Sequence, residues 1–164
     1  MTATKTTVHP PRGLSRLLWR LPIWLYRAHL GWLITDHFLM LEHIGRHSGQ
    51  PRQAVIEIVK YDKAGDMYYI ASGFGRTSDW YQNLLKTPQA RIQSGVRKAA
   101  VTAEVLSYED GQRILADYAH RHPAAIRALA KLIGYKIETQ EIDYAEFAQV
   151  VPIVALKVNP PGTA

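Results

Sequence analysis

Residues 37–72 read HFLMLEHIGRHSGQPRQAVIEIVKYDKAGDMYYIAS, and this stretch decides the fold. His37 to Ile44 has the composition of a mostly buried strand, Gly45 to Gly49 that of a turn, and Arg52 to Tyr61, rich in Val and Ile, that of a second strand. Asp62-Lys63-Ala64-Gly65-Asp66 is a hairpin loop, and Met67 to Ser72 is a third strand. Three strands arriving as adjacent hairpins favour antiparallel pairing over a parallel βαβ sheet.

The pattern continues outward from there. Gly73 to Thr77 is a loop, and Thr77 or Ser78 caps a helix running to Lys86, which Pro88 closes. On that helix Trp80 and Leu84, four residues apart, are expected to face the core, with Asn83 as a buried amide in need of partners. Arg91–Ser94 and Lys98–Leu106 form another hairpin around Ser94-Gly95. Ser107-Tyr108-Glu109-Asp110 opens a helix to Arg121, and Pro123 starts one reaching Gly134. Val150 to Val158, with Pro152 near its start, reads as a last strand at a sheet edge. Six strands are enough to close a small barrel. The expected fold is α+β, mainly β: a barrel with inserted helices over residues 36–164.

The chain has 164 residues, is 47% hydrophobic and contains no long linker or repeat, which suits one domain. Without cysteine it has neither disulfides nor thiolate metal sites, and a cytoplasmic setting is permitted. The net charge of +6 does not indicate nucleic acid, because Lys5, Arg12, Arg16, Arg20 and Arg27 place +5 of it in residues 1–35. Within residues 14–32, Arg16, Arg20 and Arg27 fall on one side of a helix, and Leu14, Leu17, Leu21, Trp24, Leu25 and Trp32 on the other. Such an amphipathic arm packs on its own barrel, docks peripherally on an anionic membrane surface, at the inner face of the membrane, or meets a partner protein. Three arginines argue against spanning it. Metal catalysis is not expected, because His120 and His122 do not share a helix face.

Two constellations carry chemistry. In Gly45-Arg46-His47-Ser48-Gly49-Gln50-Pro51-Arg52 two glycines allow an exposed, close-approaching backbone, and two guanidinium groups with a hydroxyl surround it. Loop amides and arginines bind phosphate and carboxylate groups, although a plain hairpin with solvated arginines reads the same way. In Ala71-Ser72-Gly73-Phe74-Gly75-Arg76-Thr77-Ser78-Asp79-Trp80-Tyr81-Gln82-Asn83-Leu84 a strand ends in small residues and a glycine loop leads into a helix N-terminus. Small residues let a flat ring lie against the backbone, and added bulk at Ala71, Ser72 or Gly73 would displace it.

Together, in this order, the motifs resemble the deazaflavin-dependent nitroreductase family, a branch of the split β-barrel, FMN-binding-like flavoproteins. The matching residues are Gly45, Arg46, Ser48, Gly49 and Arg52, then Ala71, Ser72, Gly73, Trp80, Tyr81, Asn83 and Leu84, with Val151–Val154 as the closing strand. The resemblance implies an oxidoreductase that uses coenzyme F420 or, alternatively, FMN. Arg46, His47, Ser48, Gly49 and Arg52 would hold the cofactor's anionic tail. Ala71, Ser72 and Gly73 would line its ring, with Trp80 and Asn83 beside it. Related barrels build cofactor sites near subunit contacts, which leaves a homodimer open. Two departures stand out: His47 occupies a position that is Lys or Arg in many relatives, and residues 124–130 are aliphatic where nitroimidazole-reducing relatives are tyrosine-rich. The implied acceptor is small and hydrophobic (quinone-like, enone or nitro compound), with Tyr118 and Tyr135 as substrate-pocket candidates. A non-enzymatic lipid binder is the reading from another class.

Overall fold

The structure, a computed structural model, describes residues 37–132 and 144–160. The basic arm and Tyr135 lie outside the described residues. In chain order the elements are β1 (Phe38–Ile44), β2 (Pro51–Asp62), β3 (Met67–Ala71), a 3-10 turn (Gly75–Thr77), α1 (Asp79–Lys86), β4 (Gln89–Ser94), β5 (Arg97–Val105), α2 (Tyr108–Arg121), α3 (Pro123–Leu132), α4 (Tyr144–Val150) and β6 (Ile153–Val158). The strands close in the order β1-β2-β3-β6-β5-β4, every neighbouring pair antiparallel. This is the mainly β barrel with inserted helices that the sequence implies.

Period-two alternation builds the interior. Leu39 and Leu41 point inward from β1, and they meet Ile56, Ile58, Ile70, Ile92, Val101, Val154 and Leu156 from the other strands. Each such side chain contributes roughly 1.5–3 kcal/mol on burial, whereas an exposed ion pair contributes about 0–1, so the interior rows hold the barrel shut.

A second core lies between the barrel wall and the helices. The register of β2 against β3 shifts between Ile58 and Lys60, and this bulge turns Val59 outward beside Ile58, which stays inside. Val59 there joins Leu115, Tyr118 and Ala119 of α2, Ile126 and Ala130 of α3, and Phe147, Val151 and Ile153. Ser107 caps α2 as its sequence predicts, accepting a hydrogen bond from the Asp110 N–H.

Two expectations are corrected. The last strand is not an edge, because β6 pairs with β3 on one side and β5 on the other. Pro152 is tolerated because it stands one residue before the ladder and needs only its carbonyl, which accepts the Ser72 N–H. Val150 ends a helix, Tyr144–Val150, rather than starting the last strand, which begins at Ile153. Phe147, Ala148 and Val151 are buried against α2, an apolar seam too short to stand out as periodic.

Candidate functional site

α1 draws the two motifs together. Tyr81 and Leu84 bury themselves in the barrel interior, and Trp80 packs half-buried against the same cluster. The fully buried ridge is therefore Tyr81–Leu84, with Trp80 at its margin. Between them Asn83 is 4% exposed and fully partnered. Its Oδ1 accepts the Arg46 backbone N–H at 2.9 Å and the Arg46 Nη1 at 3.2 Å, and its Nδ2 lies 3.0 Å from His43 Nδ1. Arg46 also pairs with Asp79 at 3.0 Å, and Lys86 Nζ donates to the Arg46 carbonyl at 2.8 Å. The turn is thus riveted to α1.

The same contacts divide the labour within the turn. Arg46 is committed to holding the turn in place, while the Arg52 guanidinium has no hydrogen-bond partner among the described residues. Arg52 stands directly across the ladder from His43, at the barrel mouth. Gly49 has φ +66°, and its N–H closes the turn onto the Gly45 carbonyl at 2.8 Å. Ser48 Oγ accepts the Gln50 N–H at 3.3 Å, and His47 is exposed.

The glycine loop after β3 is fixed by its serines. Ser72 Oγ, wholly buried, lies 2.6 Å from the Gly75 carbonyl and 2.8 Å from Ser78 Oγ. With one proton it donates to the carbonyl and accepts from Ser78. Ser78 occupies the N-cap of α1, yet its hydroxyl makes no cap bond because Ser72 takes it up. Gly75 has φ +66°, and a Cβ there would sit 2.9 Å from the Val150 carbonyl, so no larger residue fits. A Cβ on Gly73 would meet Leu129 Cδ1 of α3 at 2.9 Å. Leu129, from the aliphatic stretch 124–130, therefore reaches the glycine loop, and bulk at Gly73 would press on α3.

Among the remaining candidates, Ala71 is half-buried beside the helix–barrel core. Tyr118 is 5% exposed within that core, and its hydroxyl donates to the Glu57 carboxylate. Burial and then this bond hold its pKa above the ordinary tyrosine value, so it keeps its proton. Tyr118 thus projects from α2 into the core between helices and barrel, against which Ala71 and Leu129 also pack. A concavity of about 400 Å³ on the outer wall, lined by Met40, Glu42, Gln53, Arg91, Gln93 and Lys98, includes none of the expected site residues. No group of three metal-ligating side chains occurs among the described residues.

His43 was not anticipated, although its alternation with Leu39 and Leu41 marks it as inward-facing. Its pKa falls to about 4, chiefly through burial, with Arg52 adding to the shift and the Asp79 carboxylate opposing it.

The family model for F420H(2)-dependent quinone reductases matches residues 19–131, more than half of the chain. The chain belongs to the F420H(2)-dependent quinone reductase family. As a member it is an oxidoreductase whose cofactor is coenzyme F420. No protein of curated function matches the sequence. Solved structures agree on the split-barrel fold. An F420-H2 dependent reductase (FDR-A) superposes with a TM-score of 0.52 at 16% identity, covering 75% of this chain and 96% of that one. A protein described as a domain-swapped dimer gives 0.52 at 15% identity, over 83% and 99%. A protein of unknown function from Agrobacterium tumefaciens str. C58 gives 0.53 at 14% identity, over 94% and 59%. At these identities the likeness speaks for the fold alone. In the turn, Arg52, whose guanidinium has no partner among the described residues, stands near the positive-φ Gly49, a donor set with the chemistry to receive an anionic group.

Proposed function

We propose that this chain reduces a small hydrophobic acceptor of quinone type with F420, binding the cofactor's anionic tail at the 45–52 turn and its ring beside the 71–75 loop. The observation that carries this reading is convergence. Motifs well separated in the sequence both fasten to α1, the turn through Arg46–Asn83 and the loop through Ser72–Ser78. Such rigid attachment preorganises a tail site and a ring site relative to one another.

The reduced deazaflavin supplies a hydride; the chain supplies position. Arg52 and the Ser48 hydroxyl meet the tail, and His47 adds an exposed imidazole next to them. Ala71, Ser72 and Gly73 offer flat backbone, with Trp80 at the margin. Leu129 of α3 sets an apolar side chain beside the loop, which suits a quinone better than a charged acceptor. A homodimer and docking of residues 14–32 on an anionic membrane surface belong to the same proposal, since a lipophilic acceptor resides in the bilayer. No helix among the described residues is long and apolar enough to cross a membrane.

The test is a steady-state acceptor panel with reduced F420 and purified protein. A quinone should be reduced with a higher kcat/KM than an enone or a nitroimidazole. Preference for the nitro compound, or equal rates with charged and apolar quinones, would contradict the assigned acceptor.

A further inference from the structure

The buried imidazole of His43 has no role in the chemistry above, yet it terminates the chain of bonds that fixes the turn. Asn83 Oδ1 is occupied by the Arg46 N–H and guanidinium, so the amide presents its NH2 end to His43. The Nδ1 atom that receives it must therefore be bare, and the ring's proton is carried on Nε2. Were Nδ1 protonated, two donors would face each other. Flipping Asn83 would relieve that clash only by turning its NH2 toward the Arg46 N–H. Only one arrangement satisfies all three groups.

The surroundings of the ring are accounted for on each side. Arg52 faces it from β2 as the directly opposed ladder residue, and Asp79 acts on it from α1. Arg46 and Lys86 complete the charged groups around the turn, Arg46 paired to Asp79 and Lys86 to the Arg46 carbonyl.

We infer that His43 is a positioning residue for the tail site: its bare Nδ1 orients the Asn83 amide, which pins the turn to α1 and leaves Arg52 as the guanidinium presented to an anionic ligand. This rests on the reading that the turn receives the F420 tail. A neutral imidazole suits the task better than a cation at that point, because a second fixed charge across the ladder from Arg52 would repel it.

The experiment uses the full chain and two variants. His43→Leu keeps an apolar interior and removes the acceptor, while His43→Asn places an Oδ1 near the position of Nδ1 without titrating. Amide hydrogen exchange is followed at Arg46 and, as a control, at Leu41 and Val101 in the barrel, and F420 affinity is measured in parallel. In His43→Leu, Arg46 should lose protection while the barrel amides retain theirs, and F420 should bind about tenfold more weakly, the worth of one hydrogen bond. His43→Asn should restore both, and Arg46 protection should then no longer fall as pH approaches 4. Unchanged Arg46 protection in His43→Leu would overturn the inference. So would lost protection with unchanged F420 affinity, or a His43→Asn variant behaving like His43→Leu. If wild-type protein binds no F420, the functional reading fails, while the Arg46 exchange still decides whether His43 positions the turn.

Discussion

Ser72 Oγ sits 2.8 Å from Ser78 Oγ, joining the last turn of β3's exit to the first residue ahead of α1. Because Ser72 also satisfies the Gly75 carbonyl, one wholly buried hydroxyl ties the glycine loop to the start of α1. Ser72→Ala should cost about 1–3 kcal/mol, the penalty for stripping partners from buried polar groups. Thermal denaturation of Ser72→Ala, Ser78→Ala and the double variant tests this. The two losses should be strongly sub-additive, whereas additive losses would show that the serines act independently.

The two arginines of the turn should behave differently. Arg52→Ala should weaken F420 by about 1.5–3 kcal/mol and leave the melting temperature nearly unchanged, as expected for a cation without a partner among the described residues that meets a charged ligand. Arg46→Ala should lower both, since Arg46 binds Asp79 and Asn83 within the protein. Calorimetry and melting curves of the pair separate the cases. Equal effects of the two variants would refute the division.

Much of this was legible in the residues. The strands over 37–72, the 94–95 turn, the Ser107 cap and the ordered motifs all follow from local pattern, and local pattern is what short-range backbone physics records. The closure of β6 between β3 and β5 was not, because pairing depends on distant chain segments that no local window contains. The role of Arg46 was hidden for a related reason. An arginine in a turn looks free until the helix carrying Asp79 and Asn83 is brought beside it. Asn83 itself was flagged as needing partners, and it has them in Arg46 and His43. His43 needed only the strand alternation to be read as inward, yet its partner lies forty residues away.

Stability should fall on acidification through His43. In the folded protein its pKa is about 4, against 6.5 unfolded, so the unfolded chain binds the proton first. The contribution is therefore complete above pH 6.5, declines as pH falls toward 4 and levels off below, a total of roughly 3 kcal/mol. Chemical denaturation at pH 7 and pH 4.5 should show this decline reduced in His43→Asn relative to wild type. An identical decline in both would place the acid sensitivity elsewhere.

The arm makes a distinct prediction. If residues 14–32 dock on anionic lipid, intact protein should sediment with phosphatidylserine-containing vesicles at low salt and release at about 1 M, where the screening length has shrunk to ~3 Å. A chain lacking residues 1–33 should stay folded, bind F420 and ignore the vesicles. Unfolding on deletion, or indifference of the intact protein to vesicles, would make the arm part of the domain's own packing.

The most direct test of the central claim is a titration of the purified protein with F420 and FMN side by side, read by calorimetry. The geometry of the turn and the family to which the chain belongs predict saturable F420 binding, tighter than FMN, that weakens in Arg52→Ala. Tight FMN binding with no heat from F420, or F420 binding indifferent to Arg52, would contradict it.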